Sequence, residues 1–234
     1  PDLHYTNLQF TRSRQITDAN PQQKDYAWGS VEIYEWTAAS GEKLQGMLAK
    51  PANFDPNKKY PMLVNFYERS SNRLHRHPRP YPGRSTINYA FYTSRGYLIF
   101  NPDVPYRVGY PGESAESAVL SGVTSLIDAG FVDREKIGLQ GHSWGGYQVA
   151  HLITRTDLFA CAESGAPVVN MFSAYGGIRW RSGLSRMFQY ERTQSRIGGS
   201  IWEYPLRYLE NSPIFFLDKV ETPLLILHND KDGA

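Results

Sequence analysis

Hydrophobic and polar residues repeat with two different periods along the chain. One period is typical of strands and the other is typical of helices. Residues 31–36 alternate with a period of two and predict a strand, and residues 44–49, after the turn at Ser40-Gly41, predict its hairpin partner. Apolar runs that predict buried strands follow at residues 61–67, 96–101, 137–140, 159–163 and 222–228. Helix-like segments at 87–95, 114–129 and 146–154 separate several of them. This alternation predicts an α/β fold whose mostly parallel, doubly wound sheet has helices on both faces.

The two ends of the chain differ from this pattern. Residues 1–28 are polar and repeat-free, and we expect them to be the tail of a preceding domain and a linker. A single α/β-hydrolase-like domain, for which the chemical evidence follows below, is expected to cover residues 29–234. Residues 230–234 follow an apolar strand with no capping element after it, so we expect the fold to be C-terminally incomplete and the chain to be a fragment.

Composition narrows the class of protein. The chain has 234 residues, of which 41% are hydrophobic and 21% charged, which fits one globular α/β domain. A formal charge of +2 is too small to indicate nucleic acid or an anionic membrane as a partner, and no apolar stretch approaches the ~20 residues of a membrane span. The single cysteine, Cys161, lies in an apolar run and is expected to be a buried small residue.

The segment Gly141-His142-Ser143-Trp144-Gly145 has the pattern Gly-x-Ser-x-Gly between a predicted strand and a predicted helix. This context is typical of the nucleophile elbow of the α/β-hydrolase fold, in which glycines allow a tight strand-to-helix turn. The turn exposes the serine hydroxyl above the start of a helix, where free N–H groups can hold an anion. We therefore predict that Ser143 is the nucleophile of a serine hydrolase and that the amide of Trp144 is an oxyanion donor.

A serine nucleophile needs a histidine base and a carboxylate that orients the base. In this fold the acid follows the serine and the histidine follows the acid. Asp230 and Asp232 both follow the predicted strand 222–228 and are both candidates for the acid, although aspartate is also a common turn residue. The six histidines of the chain fit the base poorly. We expect the catalytic histidine beyond Ala234 and the chain alone to be inactive.

A second oxyanion donor is expected at the end of an earlier strand. Tyr67 closes the predicted strand 61–67, where this fold places such a group, and a phenol there can donate to the oxyanion. The alternative is an aromatic residue at a strand end with no role in catalysis.

Two polar insertions interrupt the pattern. Residues 68–88 are rich in Arg, His and Pro, and we expect His75-Arg76-His77 to be a solvated surface and not a metal site. The aromatic, basic insertion at residues 172–205 is interpreted as a helical excursion that packs its own aromatics, some of which could line a substrate pocket. Its aromatic residues include Trp180, Phe188, Tyr190, Trp202 and Tyr204.

Residues 141–147, Gly-His-Ser-Trp-Gly-Gly-Tyr, resemble the nucleophile motif of the prolyl oligopeptidase family of serine peptidases, in its dipeptidyl-peptidase and acylaminoacyl-peptidase branches. Residues 132–138 and 222–228 are similar to the same family. The family's His-Gly-x-x-Asp ending places the triad acid on Asp232, with Asn229 in the position of the glycine. The resemblance also matches Tyr67 to the family's oxyanion tyrosine.

The resemblance implies an N-terminal β-propeller domain and short peptides as substrates, and we expect no cofactor or metal. It is compatible with a homo-oligomer and indicates no compartment. Two stretches depart from the family pattern. Glu68-Arg69-Ser70 stands where Gly-Gly-Pro or Ala-Gly-Pro is usual, and residues 106–110 replace an Arg-Gly-Ser stretch. We do not carry over the family's preference for proline.

Three functions are therefore considered. The first is a serine peptidase that cleaves short peptides through an acyl-enzyme on Ser143. The second is a carboxylesterase with the same triad, because that triad also cleaves esters. The third is a catalytically dead hydrolase domain kept as a binding module, which the altered segment after Tyr67 leaves open.

Overall fold

The computed structural model describes residues 2–76 and 87–233. The strands of these residues are β1 (His4–Thr6), β2 (Ser13–Gln15), β3 (Ser30–Thr37), β4 (Lys43–Lys50), β5 (Tyr60–Asn65), β6 (Leu98–Pro102), β7 (Val132–His142), β8 (Cys161–Gly165), β9 (Ile178–Arg179), β10 (Leu184–Ser185) and β11 (Leu224–Leu227). The α-helices are α1 (Tyr89–Thr93), α2 (Pro111–Asp128), α3 (Trp144–Ile153), α4 (Met171–Tyr175), α5 (Met187–Glu191) and α6 (Pro205–Glu210). Short 3₁₀ helices cover Pro21–Asp25, Ser71–Arg73 and Pro213–Lys219.

Seven strands form one sheet in the order β11-β8-β7-β5-β6-β4-β3. The four pairings from β11 to β6 are parallel, whereas β4 pairs antiparallel with both β6 and β3. The predicted hairpin and the mostly parallel sheet are therefore confirmed. Parallel strands end at the same edge of a sheet, so the loops after β5, β6, β7, β8 and β11 meet on one side of the molecule.

Helices cover both faces of this sheet, as the sequence predicted. Successive strand residues point to opposite faces, and in β6 the side chains of Leu98 and Phe100 enter the cluster that contains α2 and α3. Ile99, between them, packs on the other face against residues of α1. Pro111 starts α2 at a position where proline is favoured, because the first amides of a helix have no intrahelical partner.

Three details differ from the sequence predictions. Strand β5 ends at Asn65, so Tyr67 lies in the loop after the strand and does not close it. Strand β7 is longer than predicted and runs on to His142, directly before the serine. Cys161 is exposed, because it begins β8 one residue before the pairing with β11 starts.

The first two strands form a small sheet of their own. Strands β1 and β2 make a two-stranded antiparallel sheet, separate from the large one, and Leu8 and Phe10 at its turn are 92% and 81% exposed. His75 and Arg76 of the predicted surface loop are exposed, whereas His77 lies outside the described residues. None of the helices in the described ranges has the length and apolarity needed to cross a membrane.

Candidate active site

Ser143 occupies the tight turn between β7 and α3. Its φ is 58° and its ψ is −114°, a conformation that a residue with a side chain rarely adopts. Two hydrogen bonds hold the turn: Ser143 N–H donates to Gly165 O at 2.7 Å, and Tyr147 N–H donates to Ser143 O at 3.0 Å. Backbone strain of this kind persists only where the surroundings enforce it, and it is concentrated at functional sites. The observed turn has the geometry that the Gly-x-Ser-x-Gly pattern predicted.

Both glycines of the pattern are required by close backbone contacts. A Cβ atom on Gly141 would lie 2.3 Å from the carbonyl oxygen of Gly145. A Cβ atom on Gly145 would lie 2.7 Å from the carbonyl oxygen of Phe66. The second contact packs the elbow against the loop after β5, which carries Tyr67.

Trp144 is the first residue of α3 and is 1% exposed. Its backbone N–H is among the first four of the helix, which have no intrahelical acceptor, so it is free to donate to an anion beside Ser143. Its indole lies 4.4 Å from the ring of Tyr147 and donates from Nε1 to Tyr106 Oη at 2.9 Å. The side chain therefore fixes the start of α3, while the amide remains at the turn.

Tyr67 lies beside the elbow. Its ring carbon Cδ2 is 3.7 Å from the position that a Cβ of Gly145 would take, and the residue is 40% exposed. Its carbonyl oxygen accepts hydrogen bonds from Tyr106 Oη at 2.9 Å and from Gln148 Nε2 at 2.8 Å. Burial raises the pKa of Tyr106 well above its usual range, so this phenol stays protonated and keeps donating. Tyr67 is thus anchored through its backbone, with its side chain open to the site.

The hydroxyl of Tyr67 ends a chain of amide hydrogen bonds that the sequence did not predict. Gln194 Nε2 donates to Tyr67 Oη at 2.5 Å, and Gln189 Nε2 donates to Gln194 Oε1 at 2.8 Å. Arg179 Nη2 donates to Gln189 Oε1 at 3.0 Å, which places a positive charge at the far end. Because Tyr67 Oη accepts a hydrogen bond here, its own proton is available to another acceptor, and a chain of hydrogen bonds polarises such a donor.

The two stretches that depart from the family pattern contact a common partner, Arg196. Its guanidinium pairs with Glu68 at 2.7 Å and lies 4.9 Å from the ring of Tyr106. Its carbonyl oxygen accepts from Gly109 N–H at 2.7 Å. Loop 192–198 therefore contacts both the segment after Tyr67 and residues 106–110. The two departures from the family pattern thus lie in one connected set of contacts.

Asp232 follows β11 at the same edge of the sheet as Ser143, with β8 between their strands. It is half-buried, and its N–H donates to Asn229 O at 3.3 Å. Asp230, the other candidate acid, is exposed. The structure brings Ser143, Trp144 and Tyr67 into direct neighbourhood and places Asp232 in the adjacent loop.

A row of polar side chains crosses four strands just below this edge. Asn101, Asn65, Gln140 and Glu163 occupy neighbouring positions on β6, β5, β7 and β8. Asn101 Nδ2 donates to Asn65 Oδ1 at 3.1 Å, and Asn65 Nδ2 donates to the Gln140 side chain. Burial raises the pKa of Glu163 above its usual value, although a hydrogen bond with Gln140 and the nearby His142 act against the rise.

A known family of proteins matches the part of the chain that carries most of this geometry. Residues 112–234, more than half of the chain, match the model of the prolyl oligopeptidase family. The chain belongs to the prolyl oligopeptidase family. The resemblance of residues 141–147 to that family is thereby confirmed, together with the α/β-hydrolase fold.

Curated relatives of this prolyl oligopeptidase family member are longer proteins. The chain is 24% identical over 243 residues to the Arabidopsis thaliana protein named "Probable glutamyl endopeptidase, chloroplastic", covering 94% of this chain and 23% of that protein. It is 26% identical over 217 residues to dipeptidyl-peptidase 5 of Porphyromonas endodontalis, covering 82% of this chain and 28% of the relative. The chain thus spans about a quarter to a third of the first relatives it matches.

Solved structures of the family share the fold. An acylaminoacyl peptidase in complex with Z-Gly-Gly-Phe-chloromethyl ketone superposes with a TM-score of 0.71 at 21% identity, covering 95% of this chain and 36% of the other. Porphyromonas gingivalis dipeptidyl peptidase 4 superposes with a TM-score of 0.71 at 19% identity, covering 95% and 33%.

Proposed function

We propose that this chain is part of a serine peptidase that hydrolyses short peptides through an acyl-enzyme on Ser143. The observation that carries the proposal is the strained turn of Ser143, with a positive φ between β7 and α3. A positive φ at a residue with a side chain costs backbone energy, and packing alone gives no reason to adopt it. The turn also exposes the serine hydroxyl at the edge of the sheet. Membership in the prolyl oligopeptidase family supports a peptide as the substrate.

In the proposed reaction, Ser143 Oγ attacks the scissile carbonyl carbon while a histidine base takes the hydroxyl proton. The carbonyl oxygen becomes an oxyanion that accepts from the Trp144 amide and from the Tyr67 hydroxyl. When the C–N bond breaks, the histidine returns the proton to the leaving amine. A water molecule, deprotonated by the same histidine, then attacks the ester, releases the acid and restores Ser143.

The base and its orienting acid complete the proposal. Asp232 is proposed as the acid because it lies at the same sheet edge as Ser143 and is less exposed than Asp230. Within the described ranges, no histidine makes a hydrogen bond with Ser143, and the buried His151 instead faces Glu116 at 3.8 Å. The proposed mechanism therefore takes its base from a histidine outside the described ranges. An N-terminal β-propeller that restricts access to short peptides is part of the same proposal, with residues 1–28 as its tail and linker.

Fluorophosphonate labelling of the full-length protein tests the nucleophile. We expect the wild-type protein to be labelled on Ser143 and the Ser143→Ala variant to remain unlabelled. Ser40, an exposed serine in the turn before β4, provides a control, and Ser40→Ala should label like wild type. Wild-type protein that resists labelling would refute the nucleophile and favour a binding module.

Matched substrates then separate the two hydrolase functions. Each acyl peptide of a series is supplied as an amide and as an ester, and the two carry the same leaving-group substituent. A peptidase cleaves both at rates that depend on the acyl peptide, whereas turnover of the esters alone would identify a carboxylesterase.

A further inference from the structure

The hairpin formed by β9 and β10 contacts the loop that carries the proposed acid. Trp180 N–H donates to Gly233 O at 3.1 Å, next to the proposed acid. The preceding residue, Arg179, starts the amide chain that ends on the hydroxyl of Tyr67. The hairpin is therefore connected to the acid loop on one side and to the proposed oxyanion tyrosine on the other.

Two arginines point to the same face of this hairpin. Arg179 pairs with Leu184, and Arg186 N–H donates to Gly177 O at 3.1 Å one step further along the ladder. Directly opposed residues share a face, and alternate pairs return to it, so Arg179 and Arg186 are diagonal neighbours. Gly177, opposite Arg186, contributes no side chain to that face.

Arg186 is a nearly buried cation without an acidic partner. It is 7% exposed, and its Nε atom is enclosed without a hydrogen-bond partner. The ion pairs among the described residues include neither Arg186 nor Arg179, although Arg196 on the next loop pairs with Glu68. A buried guanidinium without a counter-ion costs free energy, which an anion bound beside it would recover.

Tyr190 lies against Arg186. Its ring centre is 5.3 Å from Cζ of Arg186, and its buried hydroxyl has no hydrogen-bond partner among the residues described. Burial raises the pKa of Tyr190, and the positive charges of Arg186 and Arg179 act against that rise. The phenol is thus an additional unsatisfied donor next to Arg186. Tyr190 also shares a cluster with Trp144, the residue after the nucleophile.

We propose that Arg179 and Arg186, with the hydroxyl of Tyr190, form a carboxylate-binding site that gives the peptidase a preference for peptides carrying a carboxylate near the scissile bond. This inference rests on the proposed function of Ser143. Guanidinium groups bind carboxylates through paired hydrogen bonds, and a phenol adds a neutral donor. The carboxylate belongs either to an Asp or Glu side chain or to the terminus of the peptide.

The test compares peptides that differ only in charge. Full-length wild-type protein is assayed with fluorogenic peptides that carry Glu, Asp, Gln or Leu at each of the two positions before the scissile bond. A second pair of peptides has a free or an amidated C-terminus. We expect kcat/KM for the preferred acidic peptide to exceed that of its Gln isostere by at least about tenfold, since a site built to bind a charge rejects the uncharged isostere.

Substitutions of the two arginines test whether these residues cause the preference for acidic peptides. Arg186→Met and Arg179→Met should each reduce the Glu-to-Gln ratio at least fivefold, and Arg186→Lys should retain part of it. Arg181→Met is the matched control, because Arg181 is exposed on the same hairpin. Should Arg186→Met fail to fold, the half-buried Arg179 still decides the question. A ratio near one in wild type, for both side-chain and terminal carboxylates, would overturn the proposal, as would a ratio that survives both Met substitutions.

A binding measurement separates this proposal from the function on which it rests. Ser143→Ala protein is titrated calorimetrically with the Glu and Gln peptides, whether or not the wild type cleaves them. Tighter binding of the Glu peptide that is lost in the Ser143→Ala, Arg186→Met double variant supports the site even without catalysis. Equal binding of both peptides by the Ser143→Ala protein, when the wild type is labelled by fluorophosphonate, refutes the site and leaves the nucleophile intact.

Discussion

At the scale of single residues, the turn at Ser143 depends on two glycines that have no side chain. Ser143 adopts a positive φ, and the turn closes because Gly141 and Gly145 have no side chains. Backbone atoms surround both glycines, and backbone cannot move aside as a flexible side chain can. The residue identities at 141 and 145 are therefore dictated by the geometry that exposes the serine hydroxyl.

Gly141→Ala tests this dependence. The new Cβ would lie 2.3 Å from Gly145 O, so we expect a loss of about 1–3 kcal/mol in the free energy of unfolding. We also expect fluorophosphonate labelling to slow at least tenfold, because a misplaced hydroxyl that raises the activation free energy by ~1.4 kcal/mol slows the reaction by that factor. Denaturation and labelling of the full-length protein measure the two effects. Gly176→Ala is the control, since its nearest atom would be 3.9 Å away. Wild-type behaviour of Gly141→Ala would contradict the role assigned to this turn.

The hydrogen bond from Gln194 is predicted to act through Tyr67. Tyr67→Phe removes the proposed oxyanion donor and should lower kcat about a hundredfold or more. Gln194→Leu leaves the phenol but removes its polarising donor, so we expect a loss in kcat of about tenfold with little change in KM. The decisive measurement is the double-variant cycle: Gln194→Leu should have almost no effect in the Tyr67→Phe background. An equal loss in both backgrounds would show that Gln194 acts on the fold and not on the donor.

At the scale of elements, the parallel strands bring their polar ends together in a row. Asn101, Asn65, Gln140 and Glu163 come from four strands and hydrogen-bond one to the next below the sheet edge that carries Ser143. One Oε2 atom, that of Glu163, is enclosed without a partner. The row links strands β6 to β8 beneath the loops that carry the site, and its last member is the titratable one.

Glu163→Gln is predicted to change the pH dependence of stability. Burial raises the folded-state pKa of Glu163 above its ordinary value of 4.5. Between pH 4.5 and this raised pKa, the folded state binds more protons than the unfolded state, so stability falls as pH rises. The glutamine variant lacks this loss. It should therefore be more stable than wild type at pH 7, and the difference should vanish below pH ~4.5, where the carboxyl is protonated in both states. Thermal midpoints across this range measure the effect, and the exposed Glu221→Gln should show none of it. A difference independent of pH would refute the titration of Glu163.

At the scale of the whole molecule, two hydrophobic clusters have different relations to the site. The larger one fills the space between the sheet and helices α2 and α3. The smaller one joins Trp144 and Tyr147 of α3 to aromatic residues of the 172–211 segment, among them Tyr208. Of the five aromatic residues named in the predicted insertion, Tyr190 is buried in this cluster, whereas Trp180, Phe188, Trp202 and Tyr204 are exposed, so the prediction that the insertion packs its own aromatics is wrong for these four. The aromatic residues that are buried pack against Trp144, the residue that follows Ser143.

Equal damage to the two clusters should therefore have unequal effects on catalysis. Tyr208→Ala and Leu126→Ala each empty a fully buried position and should cost about 2–5 kcal/mol of stability. Only Tyr208→Ala opens the cluster that holds Trp144, so we expect it alone to slow acylation of Ser143. Labelling rates are compared well below both unfolding midpoints, where each variant is folded. Similar slowing by both variants would indicate that the site responds to stability in general.

The chain by itself determined the features that depend on local spacing. The strand and helix periods predicted the mostly parallel sheet, and the glycines around Ser143 predicted the elbow, because a tight turn is specified by a few consecutive residues. Only the tertiary structure revealed the groups that meet across long separations. Gln194 and Tyr67 are 127 residues apart, and no local pattern relates an amide in one loop to a phenol in another. The lack of an ion pair between Arg186 and any described carboxylate is likewise a property of packing, since the sequence around an arginine does not determine which charges lie beside it.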